Sequence, residues 1–159
     1  MKTVILLSLA LLISTPAAAQ DGRPAPRKPG LWTLTTEGGP YPGISQMCTD
    51  AESDRKLQVE VEARKARTCS RRETLVSGNT ITEDAVCKTM GSTRTTHRVT
   101  TIVDDETRVT IISYTYEAPK PGSGDYETKT TIRWVGPCGD LKPGQIKLNN
   151  GKVFTVADP

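Results

Sequence analysis

Residues 126–135 read Tyr-Glu-Thr-Lys-Thr-Thr-Ile-Arg-Trp-Val and alternate without interruption. Tyr126, Thr128, Thr130, Ile132 and Trp134 fall on one face; Glu127, Lys129, Thr131, Arg133 and Val135 fall on the other. Successive strand side chains point to opposite faces, so this pattern predicts a half-buried antiparallel strand. The same β-prone composition extends upstream. Thr68 to Val76, Thr80 to Cys87, Thr93 to Val103 and Thr107 to Tyr116 all read as strands, with threonine as the usual filler. Asp104-Asp105-Glu106 makes a polar turn and Pro119 to Gly124 a flexible loop, so consecutive strands form a meander.

Further upstream, Leu31 to Thr36 reads as a strand, and Gly38-Gly39-Pro40-Tyr41-Pro42-Gly43 as the loop that ends it. Thr49 as a cap, with Glu52 three residues on and acids in the first turn, predicts a helix from Asp50 to near Leu57. Val59 and Val61 alternate with Glu60 and Glu62, so the stretch towards Arg67 fits helix or strand equally. Downstream, Asn150-Gly151 between Ile146-Lys147-Leu148 and Lys152-Val153-Phe154 is a hairpin signal. The expected fold is mainly β: a single curved antiparallel sheet or partial barrel, with one short helix, stapled by disulfides.

The chain has 159 residues and opens on a secretory pattern, with Lys2, an apolar run from Val4 to Ile13, and Ala17-Ala18-Ala19 at the cleavage site. The apolar run would span roughly half of a bilayer's hydrocarbon core as a helix, so it reads as a removable signal and not an anchor. The division expected is 1–19 signal peptide, 20–29 Pro-rich solvated leader, 30–140 β domain and 141–159 C-terminal hairpin. No membrane-spanning segment is expected after cleavage. The pattern suits a bacterial periplasm, or release to the medium, and both are oxidising.

Four cysteines fit that compartment. None forms a C-x-x-C, so neither the paired ligands of a zinc site nor a thioredoxin-like motif is present. Cys69 and Cys87 lie equidistant from Gly78, which would centre a three-residue hairpin turn and set them opposite each other. That geometry favours Cys69–Cys87 among three possible connectivities and leaves Cys48–Cys138. Of the mature chain's 43 hydrophobic residues seven are alanine, so the core is thin and covalent help is expected.

The order Lys28-Pro29-Gly30-Leu31-Trp32, Cys48-Thr49 opening an acidic helix, Val76-Ser77-Gly78-Asn79-Thr80 before Cys87, and Gly136-Pro137-Cys138-Gly139-Asp140 resembles an uncharacterised bacterial exported family, the domain of unknown function 3617. The resemblance implies a secretion signal, a small mostly β domain and paired cysteines, and it carries no activity. The segment between Tyr41 and Met47 lacks the methionines and prolines that many relatives have, and the hairpin after Cys138 looks like an addition.

Little catalytic chemistry is available. His97 is the only histidine and shares parity with Val99 and Thr101, which predicts partial burial. A relay borrowing Ser92 or Ser113 lacks any nucleophile-elbow motif. Asp104, Asp105, Glu106 and Asp125 are the carboxylates a hydrolase would use, but all fall in turns, where acids are common. No cofactor motif is present. Arg64, Lys65, Arg67, Arg71 and Arg72 are possible contacts for anionic partners, against a solvated face balanced by Glu60, Glu62 and Glu73. Nucleic acid is not expected, because the net charge is only +3 and no aromatic interleaves these cations. Trp32, Tyr114, Tyr116, Tyr126 and Trp134 fall in predicted strands, either as core or as the wall of an apolar pocket. The expected function is a non-enzymatic periplasmic β domain that binds an envelope component, a lipid-like ligand or a protein. A carboxylate-dependent envelope hydrolase and a structural or stress module are the alternatives.

Overall fold

The computed structural model describes residues 25–89, 91–117 and 124–156. The expected signal peptide, the first half of the leader and most of the Pro119–Gly124 loop lie outside the described residues. The elements are β1 (Gly30–Gly38), β2 (Gly43–Thr49), α1 (Ala51–Thr68), β3 (Cys69–Ser77), β4 (Thr80–Thr89), β5 (Ser92–Asp104), β6 (Thr107–Tyr116), β7 (Tyr126–Gly136), β8 (Gln145–Lys147) and β9 (Val153–Thr155). All nine strands join one open antiparallel sheet in the order β3-β4-β5-β6-β7-β1-β2-β8-β9. The expected meander is β3 to β7, and β1 then pairs along β7, so the first strand sits inside the sheet.

The β3–β4 hairpin turns differently from the symmetric loop expected around Gly78. Ser77 faces Thr80, leaving only Gly78 and Asn79 in the turn, with Gly78 at φ +58°. A bulge between Cys69 and Arg71 absorbs the odd residue, and Cys69 still faces Cys87. Both cysteine pairs are bridged, Cys69 to Cys87 and Cys48 to Cys138.

The helix runs to Thr68, well beyond the short helix ending near Leu57. Its cap is Asp50 instead of Thr49: Ser53 N donates to Asp50 Oδ1 at 2.8 Å, and Asp50 N donates to Ser53 Oγ at 2.9 Å. The alternation of Val59 and Val61 is misleading because the helix has no buried apolar stripe. Asp54 is its one buried residue, and Val59 is 60% exposed. Salt bridges Lys56–Glu52 and Lys65–Glu62 support the helix from its own surface.

Gly43 to Thr49 forms β2, where no strand was expected. Its residues do not alternate, because Met47, Cys48 and Thr49 are buried in succession between β1, β8 and the start of α1. The described part of the leader is also more than solvated chain. Arg27 is half-buried and grips Asp54, and the Arg108 guanidinium donates to the carbonyls of Ala25 and Pro26 at 2.7 and 3.2 Å.

The core is as thin as the composition implies. Among the described residues the buried apolar side chains are Trp32, Met47, Cys48, Ala85 and Cys87, so two of the five are half-cystines. Trp32 is wholly buried, and its indole N–H donates to Lys28 O at 2.8 Å.

Candidate functional site

The strand registers decide which side chains share the face that bears α1. Lys65 on the helix donates to Glu83 on β4 at 2.6 Å, so that face carries Glu83. Stepping by pairs, Glu83 faces Arg98, which faces Ile112, which faces Thr128. The next row is Ala85, Thr96, Tyr114 and Tyr126, and the last includes Cys87, Arg94 and Tyr116. Period two then puts Arg94, Thr96 and Arg98 side by side on β5, with three tyrosines on the strands beside them.

Those tyrosines form a cluster. The ring centroids of Tyr114 and Tyr126 are 4.7 Å apart and those of Tyr116 and Tyr126 6.3 Å, and the Tyr116 and Tyr126 hydroxyls approach to 3.4 Å. Burial, together with the bond from Tyr116, pushes the Tyr126 phenol up to about 12. Arg94 lies over the Tyr114 ring at 4.9 Å. All three tyrosines, Ile112, Arg94 and Arg98 are half-buried, so α1 does not seal this face.

The five aromatics read as core or as a pocket wall are separated into two groups. Trp32 faces Trp134 at the other end of the same face, eight residues from Tyr126 along β7, or roughly 27 Å. Trp32 is core. Trp134 donates its indole N–H to Pro29 O at 3.0 Å and carries Lys28 over its ring at 3.7 Å. The tryptophans therefore fasten the leader, while the three tyrosines are half-buried at the far end of the face.

Each cation of the basic stretch has an acid. Arg64 and Arg67 reach Glu60, Lys65 reaches Glu62 and Glu83, Arg71 reaches Glu73, and Arg72 reaches Glu62. Three of the four turn acids are similarly engaged, Asp105 being the exception among the described residues. Asp104 accepts from Glu106 N at 2.7 Å, Glu106 pairs with Lys28, and Asp125 accepts from Tyr116 N at 3.0 Å. His97 sits on the opposite face with its side chain 52% exposed, bonded through Nδ1 to Asp84 at 2.7 Å. It is not partly buried as expected, because its parity with Val99 and Thr101 puts it on the face without the helix. Among the described residues no group of three His, Cys, Asp or Glu side chains converges as a metal site would require. An open hollow of about 320 Å³ at the start of α1 is lined by Asp50, Lys56 and Gly144, and Asp50 there is already committed to the cap.

The sequence pointed to the tyrosines but passed over Arg94, Thr96 and Arg98. The Nε atoms of Arg94 and Arg98 and the hydroxyl of Thr96 are buried with no hydrogen-bond partner among the described residues. Such groups are uncommon in native structures, and each calls for an explanation.

Residues 27–138 match the model of a family described as a protein of unknown function, DUF3617. No curated protein and no solved structure matches the chain. The matched segment begins at Arg27, which grips Asp54, and ends at Cys138, which is bridged to Cys48. Its two ends are thus tied to the same corner between β2 and α1.

Proposed function

The chain belongs to the DUF3617 family, and from that premise we propose a non-enzymatic β domain of the bacterial envelope that binds a small amphipathic envelope component on the sheet face that bears α1. The observation that carries this reading is the half-open cluster of Tyr114, Tyr116 and Tyr126 beside Ile112. A domain with so few buried apolar residues would gain most by burying its large rings, since each aromatic offers 150–250 Å² on the usual scale. It buries Trp32 completely and leaves three tyrosines partly open on one face. Clefts that mix aromatic surface with a few polar groups are the usual form of small-molecule sites.

The secretory pattern at residues 1–19 and two disulfides, which persist in oxidising surroundings, support the envelope compartment of this reading. No helix among the described residues is long and apolar enough to cross a membrane. Exported protein is the form to test. Native mass spectrometry of unreduced protein, purified from a periplasmic fraction without detergent, should show a chain four hydrogens lighter than its reduced form. It should also show an added mass that organic extraction removes. A bare mass before extraction overturns the binding reading.

A further inference from the structure

We propose that the ligand of this face is an anionic amphiphile, whose carboxylate or phosphate head docks between Arg94 and Arg98 over the Thr96 hydroxyl while its apolar part lies along Ile112 and the tyrosines. The inference rests on the binding reading above and adds the charge of the ligand.

Three features carry it. Arg94, Thr96 and Arg98 are consecutive side chains on one face of β5, so the two guanidinium groups flank the hydroxyl, and their Cα atoms stand roughly 13 Å apart. Thr96 is 8% exposed, and its Oγ1 has no partner among the described residues. The arginine Nε atoms are likewise unpartnered, and among the described residues neither arginine forms an ion pair. The acid across from Arg98 is Glu83, which is already taken by Lys65 at 2.6 Å.

Arg108 shows the contrast. It is also buried with an unpartnered Nε, yet its terminal nitrogen is held by the carbonyls of Ala25 and Pro26, so it serves to pin the leader. Among the described residues nothing comparable holds Arg94 and Arg98. Removing cations from water without an acid is unfavourable, and a bound carboxylate or phosphate offsets that cost through charge-assisted bonds that guanidinium geometry suits well. The Arg94 guanidinium carbon lies over the Tyr114 ring at 4.9 Å, which holds the cation beside the aromatic surface. The neighbouring rings and Ile112 supply the apolar half.

The test is calorimetric titration of the mature, disulfide-intact protein with four probes below their micellar concentrations: dodecyl phosphate, dodecanoate, 1-dodecanol and inorganic phosphate. Both anionic amphiphiles should bind, with the alcohol at least about tenfold weaker, as loss of a charge-assisted bond predicts. R94Q and R98Q should each weaken dodecyl phosphate by about tenfold, while R133Q, on the opposite face, changes nothing. T96V keeps the assay informative if the arginine variants fold poorly. It removes a buried hydroxyl that has no partner among the described residues, so it should melt no lower than the parent and still bind dodecyl phosphate more weakly. Equal affinity for dodecanol, or unchanged binding in R98Q and T96V, overturns the anionic head and leaves the apolar site standing. Inorganic phosphate binding as tightly as dodecyl phosphate overturns the amphiphile in favour of a free anion. Failure of every probe overturns the anionic amphiphile, and a bare native mass is the separate result that overturns the binding reading itself.

Discussion

Asp54 and Arg27 are locked together although 27 residues separate them. The carboxylate is 1% exposed, and it accepts from Arg27 N at 3.1 Å, Arg27 Nε at 2.6 Å and Gln58 Nε2 at 3.0 Å, with the Arg27 terminal nitrogen closing an ion pair. Removing one partner from such a pair leaves a buried charge uncompensated. Arg27→Ala should therefore lower the unfolding free energy in urea by about 3–5 kcal/mol. A loss of under about 0.5 kcal/mol, the usual range for an unremarkable surface change, would show that water replaces the guanidinium.

The two disulfides should contribute unequally. They close sequence separations of 90 and 18 residues, for which loop entropy predicts about 4.5 and about 3 kcal/mol respectively. Cys48→Ala with Cys138→Ala should thus reduce stability more than Cys69→Ala with Cys87→Ala. The reverse order in denaturant titrations would mean that the unfolded chain is already compact around one bridge.

Trp32 and Trp134 face each other, yet only the first is fully buried. Trp32→Ala should cost about 3–5 kcal/mol, the range for large core aromatics, and Trp134→Ala distinctly less. Equal losses would show that the Trp134 contacts with Lys28 and Pro29 hold the leader as firmly as the core holds Trp32.

Tyr126 sets an alkaline limit. Its phenol is raised from 10.0 to about 12 by burial and then by the Tyr116 hydroxyl, while Arg94 pulls it down. The unfolded phenol ionises first, so this contribution to stability is fully present below pH 10 and is lost as pH rises towards 12. Phenolate absorbance should show one tyrosine still titrating towards pH 12, and Tyr116→Phe should bring it earlier. A single transition near the ordinary tyrosine value would contradict the burial of this ring.

The sequence made the strands legible from β3 to β7, because threonine, β-branched and aromatic residues accumulate there and Tyr126 to Val135 alternates cleanly. It hid β2, whose buried Met47, Cys48 and Thr49 follow one another where alternation should have placed one facing solvent. The length of α1 was equally hidden. A search for apolar periodicity finds nothing in a helix whose one buried residue is Asp54. Arg94 and Arg98 escaped notice for a related reason. Threonines and β-branched residues occupy both parities of β5, so polarity does not say which face is inward, and cations are ordinarily assigned outward. The signal that could have found them is their register with β6, where Arg94 faces Tyr116 and Arg98 faces Ile112, which appears only once the strands are aligned.

Cys48 and Cys138 enclose Cys69 and Cys87 in the chain, so the bridges are nested. A chain that emerges N-terminus first presents Cys48 with Cys69 as its earliest thiol neighbour, and β1 waits for β7 before it has both its partners. Oxidation in order of appearance therefore joins the wrong pair. Reaching the native connectivity requires thiolate attack on that premature bond and its exchange for the correct ones. Production in a host that oxidises thiols but cannot reshuffle them should accumulate mispaired isomers, with an isomerase, and not a stronger oxidant, as the remedy.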